Sequence, residues 1–145
     1  MFIITKQLKN FSAAHRLIKN YQGRCKNLHG HNYALEVVFS AKQLNEYDFV
    51  IDFDDIKAHF DEWVQNHWDH VTIVSEMDKP LIEFLTKEQQ THFIIPGEKN
   101  TSAECLAEFL FHQFKTILKS LNDTRITLES VRVFESDTAS AVYKE

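Results

Sequence analysis

The feature that most constrains the fold is a long run of alternating residues that follows two closely spaced histidines. Within residues 31–41, every second side chain is large and apolar: Tyr33, Leu35, Val37 and Phe39. Because side chains on a strand point to opposite faces with a period of two, this pattern predicts a long β-strand with one buried face. His29 and His31 share the parity of that face, so we expect both imidazoles to point into a pocket rather than into solvent.

A third histidine, His15, falls near the end of a β-rich stretch over residues 2–15 that we expect to bend near residues 9 and 10. Three neutral imidazoles are the ligand set of many catalytic zinc sites, which leave a fourth position for water or substrate. Cys25, four residues before His29, could be a fourth ligand, a base or nucleophile, or an inert thiol. The alternative is that His29 and His31 are only polar residues at the start of a strand.

The rest of the chain predicts a small α+β domain over residues 1–145. Asp52 is typical of an N-cap, and apolar residues at steps of three and four predict a helix from Phe53 to His67. The stretch 101–104 has a capping-box pattern that predicts the start of a second long helix. Between them we expect a short helix over 79–86 and a strand over 92–95, and afterwards two strands over 126–135 and 139–143. The predicted order is ββ-α-(insert)-α-ββ, an antiparallel sheet covered by two long helices.

Further carboxylate and imidazole groups could contribute to a site. Asp69 and His70 could form a carboxylate–imidazole pair, or be two unrelated residues at a helix end. Glu135, at the end of an apolar strand, could be solvated or could be a carboxylate in a pocket. Glu104 is explained chiefly by helix capping.

Composition excludes some classes of function. The formal net charge of −5 argues against a general nucleic-acid-binding protein, which is usually basic. Two cysteines, Cys25 and Cys105, make a disulfide framework improbable. No apolar run approaches the roughly 20 residues that span a bilayer. We therefore expect a reduced, cytoplasmic protein that does not bind nucleic acid or membranes.

Taken together, the motifs resemble those of the 6-pyruvoyl-tetrahydropterin synthase family. They occur in the family's order along nearly the whole chain: Phe11-Ser12-Ala13-Ala14-His15, Cys25-x3-His29-Gly30-His31, Val50-Ile51-Asp52-Phe53, Asp69-His70, Thr101-Ser102-Ala103-Glu104 and Val133-Phe134-Glu135-Ser136. The three-residue gap between Cys25 and His29 is similar to that of the bacterial queuosine-pathway branch of this family. The branch that makes 6-pyruvoyl-tetrahydropterin typically has a wider gap.

The resemblance implies a tunnelling (T-) fold, with a four-stranded antiparallel sheet and two long helices on one face. Subunits of this fold associate through sheet edges, here into trimers stacked as hexamers, with sites between subunits. The implied activity is that of a carbon–carbon lyase converting 7,8-dihydroneopterin triphosphate to 6-carboxy-5,6,7,8-tetrahydropterin, acetaldehyde and triphosphate, in queuosine biosynthesis. The alternatives are a 6-pyruvoyl-tetrahydropterin synthase, which eliminates triphosphate, and a non-catalytic ring protein that binds pterin or zinc.

The resemblance also implies a role for each matching residue. His15, His29 and His31 would bind Zn²⁺, and Cys25 would be the general base. His70, oriented by Asp69, would be the acid–base partner, Glu135 would anchor the pterin, and Thr101 and Ser102 would line the pocket. The chain departs from the family pattern at two places. After His70 the family usually has a Leu-Asn pair, whereas this chain has Val71-Thr72-Ile73-Val74 and a longer insert to Asn100. The residue before Thr101 is often Pro in the family and is Asn100 here.

Overall fold

The secondary structure comes from a computed structural model that describes residues 1–145. In chain order the elements are β1 (Phe2–Gln7), β2 (Phe11–His15), β3 (His29–Ala41), α1 (residues 53–67), β4 (Val71–Ser75), α2 (Lys79–Lys87), β5 (His92–Ile95), α3 (Ala103–Ser120), β6 (Ile126–Ser136) and β7 (Ala139–Tyr143). Helix α1 is α-helical at both ends and contains a π-helical stretch, Lys57–Asp61. The predicted boundaries of α1, β5 and β7 are confirmed.

The strands form one mixed sheet in the order β5-β4-β2-β3-β6-β7, with β1 also paired to β3. Strands β1 and β2 pair antiparallel with successive halves of the same edge of β3. The predicted bend near residues 9 and 10 is therefore confirmed, because the chain leaves the strand between Gln7 and Phe11. Strand β4 runs parallel to β2, and β5 runs parallel to β4.

The prediction of a four-stranded, antiparallel sheet is wrong, although the α+β class is confirmed. The antiparallel part is present as β1 and β2, β3, β6 and β7, but the segment 71–100 adds β4 and β5 in parallel. Strand β4 is buried along almost its whole length. A strand covered on both faces shows no alternation, so the apolar run Val71–Val74 carried no sign of its strand partners.

The core lies on the face of β3 that the alternation predicts. Tyr33, Leu35, Val37 and Phe39 are fully buried there. Helices α1 and α3 cover this face, since the Phe60 ring of α1 contacts Phe39 at 5.2 Å and Phe114 of α3 at 5.3 Å between ring centroids. The two long helices are thus on one side of the sheet, as predicted.

The two long helices begin at side-chain caps. Asp52 Oδ1 accepts a hydrogen bond from Asp54 N at 2.8 Å, which confirms the predicted cap of α1. At α3 the cap is Ser102, which accepts from the backbone N–H of Cys105 at 3.4 Å. The capping-box prediction is thus wrong by one residue, and Thr101 lies fully buried in front of the helix. Among the helices, none has the length and apolar character needed to cross a membrane.

Candidate functional site

The pairing of β2 with β3 brings three histidines together. His15 lies directly opposite His29, and His31 is two residues further along β3 on the same face. The ring centroids are 4.6 Å apart for His15 and His29, 5.1 Å for His15 and His31, and 5.0 Å for His29 and His31. One ligand atom from each ring lies within 4.8 Å of the other two. Strand register therefore builds the cluster that the sequence pattern predicts.

Hydrogen bonds orient two of the three rings. His15 Nδ1 donates to the carbonyl of Thr101 at 2.7 Å, and His29 Nδ1 donates to the carbonyl of Asn27 at 2.7 Å. Because Nδ1 carries the proton in this arrangement, Nε2 keeps its lone pair. A second partner of this kind is what holds histidine ligands in metal sites.

The free ring nitrogens fit a metal ion. The Nε2 atoms of His15 and His31 are buried and have no hydrogen-bond partner, which is costly for a polar atom unless a ligand uses it. Burial lowers the pKa of His15 to about 4, the Thr101 carbonyl opposes this, and charge on the other two imidazoles lowers it further. His15 is therefore neutral near pH 7, the form that binds metal. The triad can hold a metal ion through three imidazoles.

Gly30 leaves little room for a side chain between the paired histidines. A Cβ at Gly30 would lie 3.3 Å from the backbone carbonyl oxygen of Ala13, which is tighter than most such contacts. A larger residue would press on β2, the strand that carries His15. The glycine therefore helps to keep the two strands, and with them the three imidazoles, at their observed spacing.

Tyr33 and Glu135 lie next to the triad. The Tyr33 ring is fully buried, with its centroid 5.3 Å from that of His31 and 6.0 Å from that of His15. Burial raises the pKa of Tyr33, and the negative charge of Glu135 raises it further. Half-buried Glu135 lies at a bulge where β6 and β7 change register. Glu135 is thus half-buried near Tyr33 rather than fully solvated. The alternation along β3 predicts Tyr33 only as a core residue. Because Tyr33 and His31 share the same strand face, the sequence also contained the information that they would be neighbours.

Cys25 lies apart from the metal-ligand cluster. It is half-buried on a short 3₁₀ turn, Arg24–Lys26, and its sulfur is not among the ligand atoms that cluster. Interaction with the Cys25 side chain raises the pKa of the neighbouring Tyr21 hydroxyl. A Cβ at Gly23 would collide with the Tyr21 hydroxyl, so a larger residue there would displace the tyrosine side chain from the turn. Of the alternatives for Cys25, the fourth-ligand interpretation lacks structural support.

Asp69 and His70 form the predicted pair. His70 Nδ1 lies 2.8 Å from Asp69 Oδ2, and Asp69 Oδ1 accepts from the backbone N–H of Ser12 at 2.9 Å. The Ser12 N–H lowers the pKa of Asp69, and the bond to His70 lowers it further. The His70 side chain is 83% exposed and borders a polar hollow of about 640 Å³, together with Ser12 and Asn32. His31 of the triad lines the same hollow, although His70 makes no hydrogen bond within the chain to the triad, Cys25 or Glu135.

Thr101 and Ser102 have structural partners within the chain. The Thr101 hydroxyl donates to the carbonyl of Arg16 at 3.3 Å, besides the bond from His15 to its own carbonyl. Two residues near them were missed from the sequence: Asn100, which binds the backbone after Arg16, and Asp78, which pairs with the Arg16 side chain. The only sequence feature that pointed to either residue was Asn100, which stands where the family often has Pro. That difference does not predict which residues Asn100 binds.

Known proteins are similar to this chain over almost its whole length. A model of the 6-pyruvoyl tetrahydropterin synthase family matches residues 3–145. The 6-carboxy-5,6,7,8-tetrahydropterin synthase of Haemophilus influenzae is 32% identical over a 151-residue alignment that covers 100% of both chains. The protein of the same name from Synechocystis is 29% identical over 148 residues, covering 99% of this chain and 93% of the relative.

Solved structures show the same fold. An uncharacterized protein from Wolinella succinogenes superposes with a TM-score of 0.82 at 17% identity, covering 99% of this chain and 97% of the other. The 6-pyruvoyl tetrahydropterin synthase of Caenorhabditis elegans superposes with a TM-score of 0.69 at 24% identity, covering 100% of this chain and 97% of the other. The match of the family model over almost the whole length, with the relative from Haemophilus influenzae, shows that the chain belongs to the 6-pyruvoyl tetrahydropterin synthase family.

Proposed function

We propose that this chain is a zinc-dependent carbon–carbon lyase of queuosine biosynthesis. It would convert 7,8-dihydroneopterin triphosphate to 6-carboxy-5,6,7,8-tetrahydropterin, acetaldehyde and triphosphate. The observation that carries the proposal is the cluster of three imidazoles in which two buried Nε2 atoms have no partner in the chain. The names of the relatives from Haemophilus influenzae and Synechocystis favour this reaction over others in the family.

His15, His29 and His31 would hold Zn²⁺, since three imidazoles with an open fourth position are typical of catalytic zinc. Bound there, Zn²⁺ supplies Lewis-acid chemistry that polarises oxygen atoms of the substrate side chain. The chain's contribution is to present neutral imidazoles in fixed orientations. Thr101 and Asn27 do so through the hydrogen bonds that their carbonyls accept.

Cys25 would be the general base that removes a proton from the substrate side chain. A thiolate is the competent form, and the neighbouring Tyr21 hydroxyl interacts with this side chain. Asp69 holds the Nδ1–H of His70, which leaves Nε2 of that ring to exchange a proton with substrate. Because His70 makes no hydrogen bond to the triad of its own chain, we propose that neighbouring subunits contribute the two groups to one site.

Glu135 would anchor the pterin by accepting hydrogen bonds from its ring N–H and amino group. A carboxylate can accept two such bonds side by side, which gives both affinity and orientation. Its position beside Tyr33 and the triad supports this role. Thr101 and Ser102 would line the same pocket, in addition to their structural hydrogen bonds.

We propose that the active form of this single-domain cytoplasmic enzyme is a homohexamer, built as a dimer of trimers. Strand β1 pairs only with β3, which leaves its other edge open. Phe2 and Ile3 on that strand are 49% and 65% exposed, although both are large and apolar. Burying such an edge against another copy removes a liability for aggregation. Light scattering coupled to size-exclusion chromatography tests the assembly, and a monomeric active enzyme would contradict it.

The deciding experiment is incubation of the zinc-loaded protein with 7,8-dihydroneopterin triphosphate and identification of products by mass spectrometry. Release of acetaldehyde with a carboxylated pterin is expected. A product that retains a three-carbon side chain would instead indicate synthesis of 6-pyruvoyl-tetrahydropterin. That is the activity that gives the family its name. Failure to consume pterin would favour a non-catalytic ring protein.

Matched variants separate metal binding from catalysis. Cys25→Ala should abolish turnover and keep zinc, whereas Cys105→Ala, at the other half-buried thiol, should keep both. His29→Ala should lose zinc. His92→Ala is its control, because the His92 ring makes the same kind of bond, from Nδ1 to the carbonyl two residues earlier, far from the triad. Zinc content by plasma mass spectrometry of about one ion per chain in the wild type is expected, and equal loss in both histidine variants would contradict the assignment.

A further inference from the structure

The segment that carries Cys25 has little regular structure of its own. Residues 16–28, which we name the Cys25 loop, connect β2 to β3 and contain only the short turn Arg24–Lys26. Inside the loop, the backbone N–H of Leu17 donates to the carbonyl of Cys25 at 2.9 Å. This bond ties the position of Cys25 to that of the first residues of the loop. Whatever holds those first residues therefore also holds Cys25.

The side chain of Asn100 holds them. Asn100 Oδ1 accepts from the backbone N–H of Ile18 at 2.9 Å and from that of Lys19 at 2.8 Å. Its Nδ2 group donates to the carbonyl of Lys19 at 3.2 Å. A single amide thus provides three hydrogen bonds to two consecutive residues adjoining Leu17. Lys19 also reaches back, with Nζ donating to the carbonyl of Glu98 at 2.7 Å.

The residue next to Asn100 holds the metal site. The carbonyl of Thr101 accepts the Nδ1–H of His15, and its hydroxyl donates to the carbonyl of Arg16, the first residue of the Cys25 loop. Two consecutive residues therefore hold the predicted base on one side and a metal ligand on the other. Because the backbone joins them directly, their spacing is rigid.

We propose that Asn100 is a positioning residue that sets the place of Cys25 relative to the histidine triad. The inference rests on the proposed function, in which Cys25 is the general base. It also assigns a role to the end of the insert, residues 71–100, whose last residue is the one that binds the loop. The amide carries its acceptor oxygen and its donor nitrogen on separate atoms, so one side chain accepts from two backbone N–H groups while it donates to a carbonyl.

Asn45 offers a matched control. Asn45 Oδ1 also accepts two backbone N–H groups, those of Tyr47 at 3.0 Å and Phe49 at 2.9 Å, in the connection between β3 and α1. Asn45→Ala therefore removes a similar set of bonds from a different loop. All variants are made in the Cys105→Ala background, so that Cys25 is the only thiol.

Asn100→Ala is expected to release the Cys25 loop while zinc stays bound. Amide hydrogen exchange at Ile18 and Lys19 should accelerate about 10-fold or more, because each loses its acceptor. Alkylation of Cys25 by iodoacetamide should accelerate about fivefold as the half-buried thiol becomes accessible. The kcat should fall about 10- to 100-fold with KM within about threefold, since a misplaced base affects the chemical step more than binding.

Asn100→Asp retains the acceptor oxygen and should therefore restore slow exchange at Ile18 and Lys19 and most of kcat. Asn45→Ala should match the background protein in all four measurements. If Asn100→Ala is too unstable to study, Asn100→Asp decides alone, because fast exchange at those two amides would overturn the proposal. So would wild-type exchange and alkylation rates in a folded Asn100→Ala protein, or a loss of turnover that only follows a loss of zinc.

Failure of the proposed function gives a different result. A fully active Cys25→Ala enzyme would refute Cys25 as base, whereas exchange and alkylation would still report whether Asn100 holds the loop. The structural part and the catalytic part of the inference are thus measured separately.

Discussion

The ion pair between Arg16 and Asp78 joins the start of the Cys25 loop to the insert. Arg16 Nε and Nη2 donate to Asp78 Oδ2 and Oδ1 at 2.6 and 2.7 Å, a two-pronged arrangement. The Asp78 side chain is only 4% exposed, and that of Arg16 is 30% exposed. Asp78 also caps α2 by accepting from the backbone N–H of Leu81 at 3.4 Å. The pair is therefore far less accessible to water than a typical surface salt bridge.

We predict that Arg16→Ala lowers the free energy of unfolding by about 2–3 kcal/mol. Removing one partner of a fully buried pair costs about 3–5 kcal/mol, because the other charge stays buried without compensation. The lower end applies here because water can reach the site of the partly exposed arginine. Asp78→Ala should cost about 2–3 kcal/mol through the lost cap and pair. The double variant should cost about 1.5–2 kcal/mol less than the sum of the two single changes.

Urea unfolding at fixed protein concentration, with metal removed by chelation, measures all four proteins of this cycle. The control is the same cycle at Glu36 and Arg132, which face each other at 3.5 Å with side chains 26% and 40% exposed. That exposed pair should show a coupling energy below about 1 kcal/mol. If Arg16 and Asp78 couple no more strongly than the control pair, the inferred role of burial is wrong.

Three further predictions concern the core, pH and the metal site. Phe60→Ala should lower the free energy of unfolding by about 3–5 kcal/mol, because it leaves a cavity between two aromatic rings. Phe84→Ala, at a side chain that is 56% exposed, should change that free energy by less than about 1 kcal/mol. Equal effects of the two substitutions in calorimetry would contradict this prediction. The pKa of Asp69 is lowered in the folded state, so its stabilisation is present above its unfolded pKa of about 4 and is lost as pH falls through the lower folded value. Asp69→Asn should accordingly make the free energy of unfolding depend less on pH in the acid range. An unchanged dependence on pH would contradict this prediction. Gly30→Ala should weaken zinc binding, measured in competition with a chromogenic chelator, because its Cβ would press on β2. An unchanged zinc affinity would show that β2 and β3 accommodate the methyl group without disturbing the site.

The parts of the fold that local sequence determines were predictable. The alternation along β3 placed His29 and His31 on the buried face, and the register with β2 then required only that His15 lie on the neighbouring strand. Strand β7 and the start of α3 follow from a turn and a cap, which act over a few residues. In each case the deciding interactions lie within one element or one hairpin.

The parts that depend on distant partners were not predictable. Val71–Ser75 pairs in parallel with a strand almost 60 residues earlier, and its short apolar run is equally compatible with several environments. The hydrogen bond from His15 to Thr101 uses a backbone carbonyl, which every residue possesses, so the type of side chain at position 101 does not predict it. The place of His70 beside β2 depends on the bond from its backbone N–H to the distant carbonyl of Ser12, which no spacing of residues encodes.

The span of the contact between His15 and Thr101, 86 residues along the chain, has a consequence for how the protein folds. The three imidazoles meet as soon as β2 and β3 form a hairpin, which is a local and therefore fast event. Their orientation is complete only when the start of α3 docks, after a much longer loop has closed.

Zinc capture by the hairpin would accordingly precede the final tightening of the site during folding. In a refolding experiment, a metal-sensitive signal should then develop in two phases, and only the slower phase should respond to changes at the start of α3. Because the two halves of the site are far apart along the chain, a metal held by the three imidazoles would report the order in which those halves assemble.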